Sequence, residues 1–192
     1  MLQFLISDKD LRHTLVAQTE IALAGGCRWI HIPAGLKPNE LEAIESRCRE
    51  AGAFLTVDDD DVLTNDRRFH GVLINAGHAK TAAEIRNILG PHAVVGVETD
   101  DVSVLPSLMK DDIDYAVYDV DHHGMENAKA FANNSGKRHV PLVARGLRLT
   151  HEEIMNLMES GFNGVLTSGN ALESALPTES VKSLTDELHN RF

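Results

Sequence analysis

The amino-acid sequence predicts an α/β fold, a (β/α)8 (TIM) barrel that takes up residues 1–192 as one compact domain. Short apolar runs alternate with amphipathic helical patterns, about eight of each, and this alternation indicates parallel strands joined by right-handed crossovers. Repeats of this number favour a closed barrel over an open doubly wound sheet. The chain is long enough for one substantial core and short for two independent domains.

The predicted strands are short runs rich in aliphatic residues. In chain order they span residues 2–7, 27–32, 53–57, 71–75, 93–98, 115–120, 140–144 and 164–167. Between them, apolar residues recur three or four positions apart, which predicts helices. These patterns lie within residues 15–23, 41–48, 82–89, 102–108, 128–131, 154–157 and 181–188. The weakest segment of the repeat is the third crossover, residues 61–69.

Several helix boundaries have their own sequence signals. Thr150 and Glu153 have the spacing of a capping box, in which each side chain accepts from the backbone amide of the other residue. Pro38 is predicted in a first helical turn, where its missing N–H costs little. Glycines are predicted to end helices in the left-handed conformation, at positions 25–26, 52, 90 and 161.

Composition excludes several classes of protein. The 18 basic and 29 acidic residues give a net charge of −11, which argues against a general nucleic-acid partner or an acidic membrane surface. Cys27 and Cys48 are the two cysteines, and they indicate reduced thiols of a cytoplasmic protein. The apolar N-terminus has no basic flank and is too short for a signal peptide or a membrane span, so we expect it to form the first strand.

The last two strands end in a pattern typical of phosphate sites. Arg145 and Gly146 follow strand seven, and Ser168 and Gly169 follow strand eight. In many (β/α)8 barrels the loops after these strands bind phosphate through backbone amides. Ordinary tight turns between strand and helix are the alternative, because Ser-Gly-Asn also forms a good turn.

Chemistry in a barrel is found in the loops after the strands, so the other strand ends hold the remaining candidates. Alternation places His31 on the barrel side of strand two, with Ile30 and Ile32 facing the helices. Lys37 is either an anion ligand or a solvated residue at a helix start. After strand four, Asn75 and His78 are the polar candidates.

Two acidic segments each allow two interpretations. The run of four aspartates from Asp58 to Asp61 either binds a hard divalent cation such as Mg²⁺ or forms an Asp-rich turn that caps a helix. In the segment from Asp119 to Gly124, His122 and His123 are candidates for acid–base catalysis or metal binding. Alternatively this segment is a solvated loop in which one histidine caps the next helix. Nucleophile-elbow, Walker and dinucleotide motifs are absent from the sequence.

The chain resembles the thiamin phosphate synthase and TenI-type thiazole tautomerase family. The similarity is clearest in ALAGGCRWI (22–30), AFLTVDD (53–59), IRNILG (85–90), VPLVA (140–144) and GFNGVLTSGNAL (161–172). The resemblance implies a (β/α)8 barrel of thiamin biosynthesis that joins hydroxymethylpyrimidine pyrophosphate to thiazole phosphate. Mg²⁺ and a phosphorylated small-molecule ligand are implied with it. The family commonly forms dimers, so a homodimer is implied as well.

The resemblance covers the scaffold better than the catalytic residues. Where the family has Gln, Arg and Lys after strand two, this chain has His31, Pro33 and Gly35. Asp59 matches the metal-binding aspartate, but the second acidic ligand, expected near residues 75–79, has no carboxylate counterpart. The segment 119–124 replaces a Thr- and Lys-containing pyrophosphate contact.

The resemblance therefore implies two different outcomes for the two substrates. The thiazole phosphate end is retained, with Arg145 and Gly146 in place of the family's glycine pair and Ser168 on its phosphate-binding serine. The pyrophosphate end is lost, so synthase chemistry is not expected. Three functions remain. The first is a thiazole tautomerase with His122, His123 or His31 as the proton-transfer residue. The others are another phosphate-binding isomerase or lyase, and a catalytically silent regulatory or ligand-binding paralogue.

Overall fold

A computed structural model describes residues 1–9, 12–58, 68–75, 81–136 and 140–191, and it confirms the predicted barrel. Its parallel strands close in sequence order, from β1 to β8 and back to β1. The strands are β1 Leu2–Leu5, β2 Trp29–Ile32, β3 Phe54–Asp58, β4 Gly71–Asn75, β5 Val94–Glu98, β6 Tyr115–Asp119, β7 Leu142–Arg145 and β8 Gly164–Thr167.

Helices follow the strands around the outside of the barrel. Those in the described residues are α1 Leu15–Ala24, α2 Pro38–Glu50, α3 Ala82–Leu89, α4 Leu105–Leu108, α5 Val120–His123, α6 Met125–Asn134, α7 His151–Glu159 and α8 Pro177–Arg191. Short 3₁₀ turns at Val102–Val104 and Ala171–Glu173 complete them. Most of the third crossover, residues 59–67, lies outside the described residues. Within the described chain, no helix has both the length and the apolar content needed to cross a bilayer.

The helix boundaries agree with most of the sequence signals. The Thr150–Glu153 capping box is present at the start of α7, and Thr81 with Glu84 forms a second one at α3. Gly25 is a correction, because its φ of −74° is not left-handed. A Cβ atom at this position would lie 2.6 Å from the Val181 side chain, so close packing of α8 against the end of α1 requires glycine here.

Alternation along the strands divides the core into two layers. One set of strand residues, such as Phe4, Ile30 and Val57, packs outward against the helices. The other set fills the barrel interior and consists of Leu5, Leu73, Tyr115, Val117, Val143 and Leu166. This period of two is what fixes which polar residues at the strand ends face into the barrel mouth.

The barrel interior contains polar groups without a protein partner. The Gln3 side chain is completely buried, and neither its amide oxygen nor its nitrogen has a hydrogen-bond partner in the described chain. The buried Tyr115 hydroxyl is also unpaired. Burial raises the pKa of Tyr115 far above its usual value. Its ring packs on Gly96, where a Cβ atom would lie 2.3 Å from the ring.

We predict that Tyr115→Phe stabilises the protein by about 1 kcal/mol, because it removes a buried hydroxyl that has no partner. Urea unfolding measures the change in the free energy of unfolding. Tyr118→Phe is the matched control on the outer face of the same strand, and its expected effect is within about 0.5 kcal/mol. A destabilised Tyr115→Phe variant would contradict this account.

Candidate functional site

Five consecutive strands end in a polar residue that faces the barrel mouth. These last residues are Asp58 of β3, Asn75 of β4, Glu98 of β5, Asp119 of β6 and Arg145 of β7. For β4, β6 and β7, the residue two positions earlier belongs to the interior cluster, so alternation turns the strand end toward the barrel axis as well. The mouth therefore combines three carboxylates, one amide and one guanidinium.

Arg145 crosses the mouth from β7 to β3 and β5. Its Nη1 and Nη2 atoms donate to Oδ1 and Oδ2 of Asp58 at 3.1 and 3.0 Å. Nη1 also donates to Oε2 of Glu98 at 3.0 Å. Paired contacts of this kind, between a guanidinium and both carboxylate oxygens, are among the stronger hydrogen bonds in proteins. Arg145 thus joins three strands at the centre of the mouth.

His31 extends this network into the barrel. Its side chain is fully buried, and Nε2 lies 3.0 Å from Oδ1 of Asp58. The other ring nitrogen, Nδ1, lies 3.0 Å from Oγ1 of Thr56, which also accepts from Nε1 of Trp29 at 2.9 Å. His31 faces the barrel interior, and both of its ring nitrogens have protein partners.

Charge pairing determines the ionisation of the network. Burial raises the pKa of Asp58, but hydrogen bonds and charge from His31 and Arg145 outweigh burial and hold this pKa below its usual value. For Arg145, burial lowers the pKa, and the charges of Asp58 and Glu98 outweigh it, so the net shift is upward. Both groups therefore stay charged at neutral pH.

The loops after β6, β7 and β8 meet at one peptide unit. The Leu147 amide donates to Oδ2 of Asp121 at 2.7 Å. The Leu147 carbonyl accepts from the Ser168 hydroxyl at 2.6 Å and from the Thr167 hydroxyl at 3.4 Å. Ser168 is buried, so its hydroxyl serves to join two loops in this structure.

The predicted phosphate-binding residues already have hydrogen-bond partners. The Gly146 amide donates to the Leu166 carbonyl at 3.0 Å, and the Gly169 amide donates to Oγ1 of Thr167 at 2.8 Å. The guanidinium of Arg145 is bound to Asp58 and Glu98. Phosphate binding by these groups stays a prediction, and it requires that some of these bonds be exchanged for bonds to the ligand.

Other donors lie close to the same loops. Within the described chain, the backbone amides of Ser168, Asn170 and Ala171 donate no hydrogen bond. Ser168 and Gly169 line a narrow cleft together with Leu147, Arg148, Leu172 and Glu173. The space for water-molecule centres in this cleft is about 10 Å³, which is room for about one water molecule.

Glu173 forms ion pairs with two arginines at one side of this cleft. Its carboxylate pairs with Arg148 at 2.9 Å and with Arg12 at 3.4 Å. Arg148 and Arg12 are more than half exposed, so these pairs are weak and readily exchanged. A ligand with more negative charge than a carboxylate would compete for the two arginines.

His122 and His123 lie on α5, directly after β6. Their ring centroids are 4.5 Å apart. Nε2 of His123 lies 3.7 Å from Oδ2 of Asp100, and Asp119 caps α5 by accepting from the His122 amide at 3.0 Å. The following helix, α6, has Gly124 at its N-cap and no side-chain cap, so neither imidazole caps it.

The predicted metal site is only partly described. Asp59, the predicted Mg²⁺ ligand, and His78 lie outside the described residues, whereas Asp58 is paired with His31 and Arg145. Within the described ranges, no group of three His, Cys, Asp or Glu side chains could hold a metal ion. Both cysteines are buried and free, and burial raises the pKa of the Cys48 thiol to about 12.

Sequence reasoning missed Glu98, Thr56 and Arg148. Glu98 is the last residue of a correctly predicted strand, so extending the alternation argument to that strand could have found it. Thr56 lies inside a strand, and the sequence pattern indicates no functional role for it. Arg148 becomes a candidate only when the loops after β7 and β8 are seen side by side.

Comparisons with known proteins agree with this architecture. A family model described as thiamine monophosphate synthase matches residues 2–169. The thiamine-phosphate synthase of Phocaeicola vulgatus is 26% identical over 202 residues, with 95% of each chain covered. That of Bacteroides fragilis (strain ATCC 25285) is also 26% identical and covers 95% of this chain and 97% of its own.

Solved structures show the same fold. A thiamine phosphate pyrophosphorylase from Pyrococcus furiosus has a TM-score of 0.72 at 20% identity and covers 97% of this chain and 96% of its own. An orotidine 5′-phosphate decarboxylase from Pyrococcus horikoshii has a TM-score of 0.68 at 14% identity and covers 98% and 99% of the two chains. At these identities the likeness establishes the barrel alone.

We predict that Asp58→Asn lowers the free energy of unfolding by about 2 kcal/mol at pH 7, because Arg145 loses a charged partner. The folded pKa of Asp58 is lowered, so its contribution is complete above the unfolded value of about 3.9 and disappears as the pH falls through the folded value. The difference between variant and wild type should therefore close below about pH 4.

Urea unfolding at pH 7, 4 and 3 measures this difference. Asp186→Asn, at an exposed position of α8, is the control, and we expect a change below about 0.5 kcal/mol at each pH. A difference for Asp58→Asn that does not change with pH would show that the carboxylate charge is not what stabilises the mouth.

Proposed function

Because the chain belongs to the thiamine monophosphate synthase (TMP-TENI) family, we propose that it binds a thiazole phosphate at the loops after β7 and β8 and does not couple it to a pyrimidine pyrophosphate. The chain takes part in thiamin metabolism as a member that has kept one of the two ligand sites. The mouth and the two loops support this proposal separately.

The acidic mouth is the observation that carries the proposal. Asp58, Glu98 and Asp119 are the last residues of β3, β5 and β6. The guanidinium of Arg145 is shared between Asp58 and Glu98. Two like charges 4 Å apart repel by about 4 kcal/mol at an effective dielectric constant of 20. Among the described residues, a pyrophosphate placed here would meet three carboxylates and a single guanidinium, which already pairs with two of them, and would therefore bind poorly.

The loops after β7 and β8 differ from the acidic mouth because they present backbone amides that can bind an anion. Among the described residues, the backbone amides of Ser168, Asn170 and Ala171 have no acceptor. Unpaired amides at the start of a turn favour an anion. Arg148 lines the cleft beside them. A phosphate that displaces the Glu173 carboxylate from Arg148 would gain a charge-assisted hydrogen bond, and the cleft would open as Glu173 leaves.

Thiazole tautomerisation is the second candidate function. The close pair of His122 and His123 favours it, since one partly exposed imidazole beside another can exchange protons with a ligand and with solvent. His31 is a poorer choice for this role, because both of its ring nitrogens are engaged inside the barrel.

We predict that thiazole phosphate raises the melting temperature of the wild-type protein, whereas adding pyrimidine pyrophosphate and Mg²⁺ releases no pyrophosphate. Arg148→Ala should weaken thiazole phosphate binding about tenfold, the equivalent of one charge-assisted hydrogen bond. Isothermal titration measures the affinity, and a coupled assay measures pyrophosphate. Arg49→Ala is the matched control, since Arg49 is also exposed and paired with one glutamate.

Pyrophosphate release at a steady rate would show that the synthase reaction has been kept. Equal affinities of wild type and Arg148→Ala would place the phosphate elsewhere.

For the tautomerase candidate we predict that His122→Ala and His123→Ala together abolish turnover and leave thiazole phosphate affinity unchanged, because proton transfer and phosphate binding use different groups. NMR of the thiazole carboxylate phosphate isomers follows the reaction. Wild-type protein that binds the ligand without converting it would identify a silent binding protein instead.

A further inference from the structure

In the described part of the barrel mouth, the guanidinium of Arg145 lies between two carboxylates. Nη1 of Arg145 lies 3.1 Å from Oδ1 of Asp58 and 3.0 Å from Oε2 of Glu98. The two carboxylates come from β3 and β5, whose ends are separated by β4. Nη1 of Arg145 therefore contacts both carboxylates.

A cation at this point offsets the repulsion between the two carboxylates. The Asp58 and Glu98 side chains are 24% and 25% exposed, so solvent screens their mutual repulsion less than it does at an open surface. Leaving one partly buried charge without a partner is strongly destabilising. A basic side chain, a metal ion or protonation of one carboxyl has to neutralise the pair.

Asp58 and Glu98 do not fit a divalent cation between them while Arg145 is present; the aspartate that the family resemblance implies for Mg²⁺ is Asp59, which lies outside the described residues. A hard divalent cation lies about 2.0–2.6 Å from its carboxylate oxygens, and an ion shared by Asp58 and Glu98 would take the place of the Arg145 nitrogen. The guanidinium and the ion exclude each other both by volume and by charge. Arg145 moreover donates three N–H groups to these two carboxylates.

We infer that Arg145 neutralises Asp58 and Glu98 and occupies the position between them in which a divalent metal ion would otherwise bind. In this protein the two carboxylates therefore bind no divalent cation. Removing the guanidinium while keeping the carboxylates converts the mouth into a divalent cation site. Asn75 is paired in register with Glu98, and its amide oxygen belongs to the ligand class that such ions accept.

The inference is tested with Mn²⁺ and Mg²⁺ alone, on chelator-treated full-length protein. Arg145→Met keeps the side-chain length and removes the charge, whereas Arg145→Lys keeps the charge. We expect Arg145→Met to bind Mn²⁺ at least about tenfold more tightly than the wild type, and Arg145→Lys to behave as the wild type. Mn²⁺ electron paramagnetic resonance measures binding, and melting temperature with and without metal gives a second readout.

A double variant assigns the binding to the mouth. Adding Glu98→Gln to Arg145→Met should return the Mn²⁺ affinity to the wild-type level. Arg145→Met that folds only when Mn²⁺ is added would also support the inference, because the ion then replaces the missing charge.

Three results would overturn the inference. One is wild-type protein that binds Mn²⁺ as tightly as Arg145→Met and loses this affinity with Glu98→Gln. Another is folded Arg145→Met without any gain in affinity. The last is Arg145→Met that stays unfolded at every Mn²⁺ concentration, since an added ion should then have compensated for the lost guanidinium.

Discussion

The contact of Arg145 with Asp58 and Glu98 is the interaction on which the rest of this mouth depends. Closing a parallel barrel brings all strand ends to one rim, and here three of those ends carry carboxylates. Without a shared cation, the barrel closure that buries the aliphatic core would also bring these carboxylates close together, and they would repel one another. Arg145 resolves this conflict, orients Asp58 toward His31 and so fixes the polar chain that descends to Thr56 and Trp29.

This arrangement gives the rim two unlike sides. From β3 to β6 the rim is acidic, and its carboxylates on β3 and β5 pair with Arg145 of β7. At β7 and β8 the contacts are mostly made by the backbone, through Gly146, Leu147 and Gly169. Arg145 of β7 and the hydrogen bond from the Leu147 amide to Asp121 connect the two sides.

The sequence was sufficient for the barrel and for the direction of its side chains. Strand positions followed from apolar runs and their spacing, and the barrel-facing position of His31 followed from alternation. The partners of Arg145 could not be derived in this way, because Asp58 and Glu98 are 87 and 47 residues away and meet it only through closure and register. Likewise, a glycine-rich turn predicts exposed amides, but in the structure the Gly169 amide donates a hydrogen bond to the Thr167 hydroxyl. Composition alone does not predict this local hydrogen bond.

The peptide unit of Leu147 has a consequence for communication within the molecule. Its carbonyl accepts from Ser168 and its amide donates to Asp121, which precedes His122 directly. A ligand that accepted a hydrogen bond from the Ser168 hydroxyl would remove one of the bonds that hold the Leu147 peptide unit. The amide of the same unit is bonded to Asp121 in α5, the short helix that contains both histidines. A displacement of this peptide unit would therefore affect the loop after β8 and the residue that precedes His122 together.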